Sequence, residues 1–273
     1  MKFNEFFNFV KINYNISYFD FVYVVCKTLN IDKNDVIKLD IFSCQDIQNI
    51  TKILDEYKNG KPLNKIFNEQ NFFGFDFFVN ENVLAPRQDT EILVENAINL
   101  IKSSNKVVNV LDLCTGSGCI GITVKKLCDN ANVLLSDISI DALNVAKINA
   151  QNLNVNVSFC HSDLFFNIPK QKFDFILSNP PYIKNGDINS LDLEVLLYDP
   201  HIALFGGDDG LTFYDKILQN ANEFLTDDGI ILFEIGYDIC IQVINLAKKY
   251  GFSSKSIKDY SGFDRVLLLK KEV

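Results

Sequence analysis

From about residue 85 to the end, short apolar runs alternate with helical stretches, and this alternation limits the possible folds more than any other feature of the chain. VVNVLDL (107–113), NVLLS (132–136), NVSFC (156–160), FDFILS (173–178), GIILFEI (229–235) and RVLLL (265–269) read as strands. Between several of them lie helix-like segments of about ten residues or more, such as 139–151 and 238–250. The expected class is α/β: a doubly wound, mostly parallel sheet with helices on both faces.

Residues 1 to about 70 have a different, helical pattern. Phe19, Val22, Tyr23, Cys26 and Leu29 recur at helical spacing behind a cap at Ser17. Ile47, Ile50, Leu54 and Tyr57 do the same behind Ser43, and Asn59-Gly60 with Pro62 ends that helix. Two such stripes bury each other or another surface, as the core of a small bundle. FFGFDFFV (72–79) is aromatic and extended and reads as a hairpin. The expected organisation is a helical domain over 1–70, a hairpin linker over 71–84 and a larger α/β domain over 85–273.

Composition narrows the function. No run of 18 apolar residues is present, so a membrane span is not expected. The N-terminus MKFNEFFNFVKINYN does not read as a secretory signal, which suggests a cytoplasmic setting. Seven cysteines are scattered and never spaced C-x-x-C, and there are only two histidines, so neither a disulfide framework nor a metal site is expected. Formal net charge is −9 and the only arginines are Arg87 and Arg265, a poor set for gripping nucleic acid.

LDLCTGSGCIG (111–121) follows an expected strand and opens an expected helix. Its glycines, Gly116, Gly118 and Gly121, let the backbone turn sharply and a ligand approach closely, and the loop lacks the Gly-Lys-Ser/Thr of a phosphate-cradling P-loop. Asp137 closes the next strand about 20 residues on, where an acidic side chain can take both hydroxyls of an adenosine ribose. A nicotinamide cofactor fits this pair equally well. The third strand ends in HSDLF, with Asp163 placed to meet an adenine edge, and the fourth in SNPPYI (178–183).

In a doubly wound sheet Asn179 to Tyr182 would face the same cleft as the glycine loop. Two successive prolines fix φ and remove donors. The Asn179 side-chain oxygen and the Pro180 carbonyl then stand as two fixed acceptors, with Tyr182 as a flat wall. Such a set suits a planar NH2 group, the amide of glutamine or the exocyclic amine of adenine. Accepting both hydrogens shifts electron density onto nitrogen and aims its lone pair at an electrophile. The chemistry implied is alkylation of a planar amine.

These residues resemble the class I S-adenosylmethionine-dependent methyltransferases bearing an NPPY motif, and among them the protein-(glutamine-N5) methyltransferases of peptide chain release factors. FFGFDFFVNENVLAPRQDTEILVE (72–95), DPHIALFGGDDGLTFYDKI (199–217), LFEIGYD (232–238) and SGFDRVLLL (261–269) also look like blocks of that family. The resemblance implies a seven-stranded Rossmann-like methyltransferase sheet with a small N-terminal helical domain, S-adenosylmethionine as cofactor and transfer of its methyl to the glutamine of a Gly-Gly-Gln motif. It implies that Cys114, Thr115, Gly116, Ser117 and Gly118 contact the methionine part of the cofactor, Asp137 the ribose, and Asp163 with Leu164 the adenine, with Asn179 at the cofactor as well. Asn179, Pro180, Pro181 and Tyr182 would hold the glutamine, with Asn179, Pro180 and Tyr182 carrying the chemistry. The N-terminal domain would dock the release factor, and a monomer without direct nucleic-acid binding is expected. Departures from the family pattern are Cys114 where glycine is common, Gln88 for a proline, and Lys65 and Asn68 for Tyr and Gly.

The rival is an N6-adenine methyltransferase, whose NPPY chemistry is the same in kind but which must extract a base and hold its backbone. Residues 1–75 carry nine Lys against nine Asp/Glu, and the remainder 17 Lys/Arg against 26 Asp/Glu, so composition offers no basic face. A non-enzymatic binding module would leave Asn179 and Asp137 without a role. No general base stands out, and His161 is expected to be structural. Asp89 and Glu91 either shape the cleft entrance or begin a solvated helix.

Overall fold

The computed structural model describes residues 1–36, 38–39 and 41–272. They form two compact units, Met1–Asn68 and Glu69–Val273.

The first unit contains α1 (Phe3–Tyr14), α2 (Tyr18–Leu29), α3 (Lys33–Val36), α4 (Cys44–Lys58) and α5 (Leu63–Phe67). Both caps read from the sequence form: Ser17 accepts from the Asp20 N–H and Ser43 from the Asp46 N–H. Asp46 returns a bond to the Ser43 N–H, completing a reciprocal box that satisfies two donors left over at the helix start. The expected stripes contribute Val22, Ile50 and Leu54 to a core that also takes Phe6, Val10, Phe21 and Val25. Each such side chain removed from water contributes about 1.5–3 kcal/mol before entropy is counted. Asn68, where the resemblance leads us to expect glycine, has φ 52, and asparagine tolerates this left-handed geometry better than most residues other than glycine.

The second unit opens with β1 (Glu69–Phe72) and β2 (Phe75–Phe78), then α6 (Gln88–Lys102), β3 (Val108–Leu113), α7 (Cys119–Leu127), β4 (Ala131–Asp137) and α8 (Ile140–Asn152). β5 (Ser158–His161), β6 (Phe173–Ser178), α9 (Leu193–Tyr198), α10 (Thr212–Phe224), β7 (Leu225–Glu234), α11 (Cys240–Lys249), β8 (Phe252–Lys258) and β9 (Asp264–Lys271) complete it. β1 and β2 form an antiparallel hairpin whose turn residues Phe73 and Gly74 both have positive φ, the twist that suits a two-residue turn. This hairpin is part of the α/β unit rather than a free linker. Phe72 and Phe77 enter its core, and buried Asn149 bonds both the N–H and the carbonyl of Phe78.

The sheet has seven strands in the order β5-β4-β3-β6-β7-β9-β8. β3 to β7 pair in parallel, and β9 runs antiparallel to both its neighbours. Side chains alternate between faces: Val108 and Val110 join one core with α6 and α7, while Leu111 and Leu113 join the other with α10 and α11. Burial on both faces explains why these strands read as near-continuous apolar runs. The strand order reverses between β3 and β6, which opens a crevice beyond their carboxyl ends.

Candidate active site

A cavity of about 270 Å³ occupies that crevice. Its wall takes Leu113 to Ser117 after β3, Ser136 to Ser139 at the end of β4, Ser162 to Leu164 after β5, and Asn179 and Pro181 after β6. Four consecutive strand ends thus deliver the four segments singled out in the sequence to one place.

The glycine loop is shaped by positive φ at Cys114 (58°), Gly116 (54°) and Gly118 (82°). The first value explains why glycine is common at the Cys114 position, since a side chain there occupies the left-handed region at a cost of about 1–3 kcal/mol. Gly118 does not line the cavity. It precedes α7, and a Cβ there would meet Ile122 Cδ1 at 2.6 Å, so its role is close packing of helix on sheet rather than ligand contact. Asp112, buried on the opposite side of the loop, accepts from Thr115 Oγ1 at 2.5 Å and from the Gly121 N–H at 2.9 Å. Burial pushes its carboxyl up to about 7, against the pull of those two donors.

Asp137 stands at the mouth of β4. One carboxylate oxygen accepts from the Gly116 N–H and the other from the Ser139 N–H, both at 2.9 Å. Burial raises its pKa, and these N–H donors oppose the rise. Each oxygen keeps a further lone pair, so the group can still accept two hydroxyls. Leu164, at φ 45, turns the chain after β5 so that Asp163 and Leu164 both reach the cavity.

Of the SNPPYI segment, Asn179 and Pro181 line the cavity, whereas Pro180 and Tyr182 do not. The Tyr182 ring, expected as a flat wall of the pocket, packs with the α10 and α11 core instead, and its hydroxyl donates to Glu234 Oε1 at 3.4 Å. The physical reason is close backbone packing. A Cβ at Gly206 would lie 2.8 Å from Tyr182 Cα and one at Gly210 would lie 2.4 Å from its carbonyl oxygen, so the 206–210 turn clamps this stretch.

Other expectations resolve differently. Glu91 leaves the cavity alone and accepts from the Phe73 N–H at 2.7 Å, pinning the hairpin turn, while Asp89 pairs with Arg265 at 3.2 Å. His161 bonds the Ile138 carbonyl at 2.9 Å. Sequence reasoning missed Thr90, Phe213 and Lys216 in the cavity wall and the segment Asn82–Arg87 along it. Arg87 bonds Asp199 at 3.1 Å, a pairing between residues 112 apart that no local pattern signals. Among the described residues, no group of three or more His, Cys, Asp or Glu could hold a metal ion, and no helix is long and apolar enough to cross a membrane.

Comparison with known proteins places the chain among methyltransferases. Residues 88–235 match the family model described as a methyltransferase small domain. The release factor glutamine methyltransferase of Clostridium botulinum is 42% identical over 225 residues, covering 81% of this chain and 79% of that protein. The bifunctional methyltransferase of Rickettsia prowazekii is 37% identical over 242 residues, covering 81% of this chain but 47% of that protein. The chain therefore spans about half the length of that bifunctional relative. A crystal structure of a methyltransferase from Pyrococcus furiosus shares the fold, with a TM-score of 0.54 at 19% identity over 83% of this chain and 100% of that one.

Fold, cleft and family match together define an α/β methyltransferase, the class for which the sequence leads us to expect S-adenosylmethionine as cofactor. The residues fit that cofactor: a carboxylate with two acceptor positions at the end of β4, a glycine loop open to close approach, and the apolar side chains Ile138 and Leu164 on the cavity wall. Within that class, the chain belongs to the release factor glutamine methyltransferase family.

Proposed function

We propose that this protein methylates the side-chain amide nitrogen (N5) of the glutamine in the Gly-Gly-Gln motif of peptide chain release factors. The observation that carries the proposal is the orientation of Asn179. Its Nδ2 is paired with Thr90 Oγ1 at 3.5 Å, which leaves Oδ1 as an acceptor for a planar NH2 group.

S-adenosylmethionine, when bound, supplies an electrophilic methyl group. The rest of the task falls to the chain. Asp137 accepts the ribose hydroxyls, Asp163 and Leu164 meet the adenine, and the Cys114–Ser117 backbone takes the methionine end. Asn179 Oδ1 accepts one amide hydrogen from the cavity wall, and the Pro180 carbonyl, which lies off that wall, is proposed as the acceptor of the second; together they localise the nitrogen lone pair and stabilise positive charge as it grows during attack. Pro181 closes the wall without adding a donor that would compete for those acceptors. Positioning and electrostatics carry the reaction, and the amide proton leaves to water.

The helical unit Met1–Asn68 docks the protein substrate. Charge supports a protein rather than a nucleic acid in that role, since residues 1–75 are balanced at nine Lys and nine Asp/Glu. A release factor is a cytoplasmic substrate, and a monomeric enzyme presents one cleft to one such loop.

The test is transfer of labelled methyl from S-adenosylmethionine to a release factor, to the same factor with its Gly-Gly-Gln glutamine changed to alanine, and to adenine-rich DNA. Label on the intact factor alone supports the proposal. Label on DNA alone would overturn it in favour of a flipped adenine as the substrate.

A further inference from the structure

Asn179 is held by a chain of hydrogen bonds that begins on β7. Glu234 ends that strand, is 2% exposed, and lies on the face covered by α6. Its Oε2 accepts from Thr90 Oγ1 at 2.6 Å, and Thr90, in the first turn of α6, is itself buried. Its Oε1 accepts from the Tyr182 hydroxyl at 3.4 Å. Beyond Thr90 lies Asn179, 3.5 Å away.

The donor inventory fixes the polarity of this chain. In its ionised form, above about pH 7, Glu234 only accepts, and a threonine hydroxyl has one hydrogen. That hydrogen is committed to Glu234, so Thr90 shows only lone pairs to Asn179. Asn179 must answer with its NH2, and its carbonyl oxygen then points the other way. An amide has two orientations of nearly equal shape, and without such a partner nothing local would choose between them. In the wrong orientation Nδ2 would face the substrate nitrogen, setting donor against donor.

We infer that Thr90 and Glu234 are positioning residues that set the orientation of the Asn179 amide, so that Oδ1 and not Nδ2 faces the substrate. The inference rests on the proposed role of Asn179 as an acceptor. It adds a reason for the sequence distance between the parts, because Thr90 and Glu234 lie 144 residues apart and meet only where α6 crosses the end of β7. It also gives Tyr182 a place in the chemistry although it lies off the cavity wall, as the second donor that keeps Glu234 oriented.

The test uses Thr90→Val, which keeps shape and removes the hydroxyl, Thr90→Ser, which keeps the hydroxyl, and Glu234→Gln, whose NH2 can donate to Thr90 and release its hydrogen toward Asn179. Two readouts are compared. One is the side-chain amide resonance of Asn179 in the cofactor-free protein, assigned by its loss in Asn179→Ala. The other is steady-state methylation of a release factor, separated into kcat and KM. Thr90→Val and Glu234→Gln should each shift the resonance and lower kcat by at least about tenfold, with the cofactor dissociation constant changed by less than about twofold. Thr90→Ser should restore both readouts, and Thr90→Val should cost nothing further in an Asn179→Ala background. An unmoved resonance in both Thr90→Val and Glu234→Gln, or equal kcat losses in Thr90→Ser and Thr90→Val, would overturn the inference. If the wild type leaves release factors unlabelled, the proposed function fails while the resonance still decides the orientation.

Discussion

Gly116 and Gly118 sit two residues apart in the same loop with positive φ, and the structure gives them different reasons to be glycine. A Cβ added at Gly118 (φ 82) would meet Ile122 Cδ1 at 2.6 Å and both Ala146 Cβ and Leu135 Cδ2 at 3.1 Å. A Cβ added at Gly116 (φ 54) would have nothing within 4 Å. Holding an L-residue in the left-handed region costs about 1–2 kcal/mol at either site. Only Gly118 adds overpacking, worth about 1–3 kcal/mol. The entropy that alanine removes from the unfolded chain is the same for both and cancels in the comparison. Gly118→Ala should therefore lose about 2–5 kcal/mol and Gly116→Ala about 1–2 kcal/mol. For a unit of this size each kcal/mol moves Tm by about 2–4 °C. Thermal unfolding of the two cofactor-free variants, followed by circular dichroism, should show a drop for Gly118→Ala at least about one and a half times that for Gly116→Ala. Equal drops would refute the packing argument and return Gly118 to the ligand wall.

Three further outcomes are expected. Asn179→Ala should lower turnover at least about a hundredfold while leaving cofactor affinity within a few fold; a matching loss of affinity, measured by calorimetry, would move Asn179 to the cofactor. Asp137→Ala should act in reverse, raising the S-adenosylmethionine dissociation constant first, and an unchanged constant would place the ribose elsewhere. Burial pushes Asp112 and Glu234 up to about 7 from ordinary values of 3.8 and 4.5, so between those limits the folded chain holds more protons than the unfolded one. Their contribution to stability is thus greatest below the ordinary values and is lost as pH rises through about 7; Glu234→Gln should flatten part of this slope in urea midpoints measured at about pH 5 and about pH 8, and an unaltered slope would count against the burial argument.

Much of the scaffold was legible because its signals are local. Strands buried on both faces leave apolar runs, Ser17 and Ser43 announce helix starts, and Gly74 with Phe73 marks a hairpin turn. β8 escaped because it is an edge strand: FSSKSIK pairs only with β9, exposes much of its length and so carries no apolar run. The extension of β7 back to Leu225 escaped for a related reason, since Thr226 to Asp228 are polar and partly or fully exposed.

The site divides in the same way. Asp137 ends a strand and Asp163 and Asn179 follow strand ends, where topology alone delivers side chains to the crevice. Thr90, Arg87, Phe213 and Lys216 come from segments far away in sequence, and their convergence depends on helix packing that no short motif encodes. Tyr182 lies beside Asn179 in the chain, but the clamp formed by Gly206 and Gly210 turns its ring away from the cavity.

The most direct test of the central claim is the site of the transferred methyl. A release factor incubated with this protein and S-adenosylmethionine is digested, and its Gly-Gly-Gln peptide is sequenced by mass spectrometry. One added methyl on the glutamine side chain, absent when Asn179→Ala replaces the wild-type enzyme, is the expected result. An unmodified glutamine, or a methyl on any other residue, would contradict the assignment of this cleft to a glutamine amide.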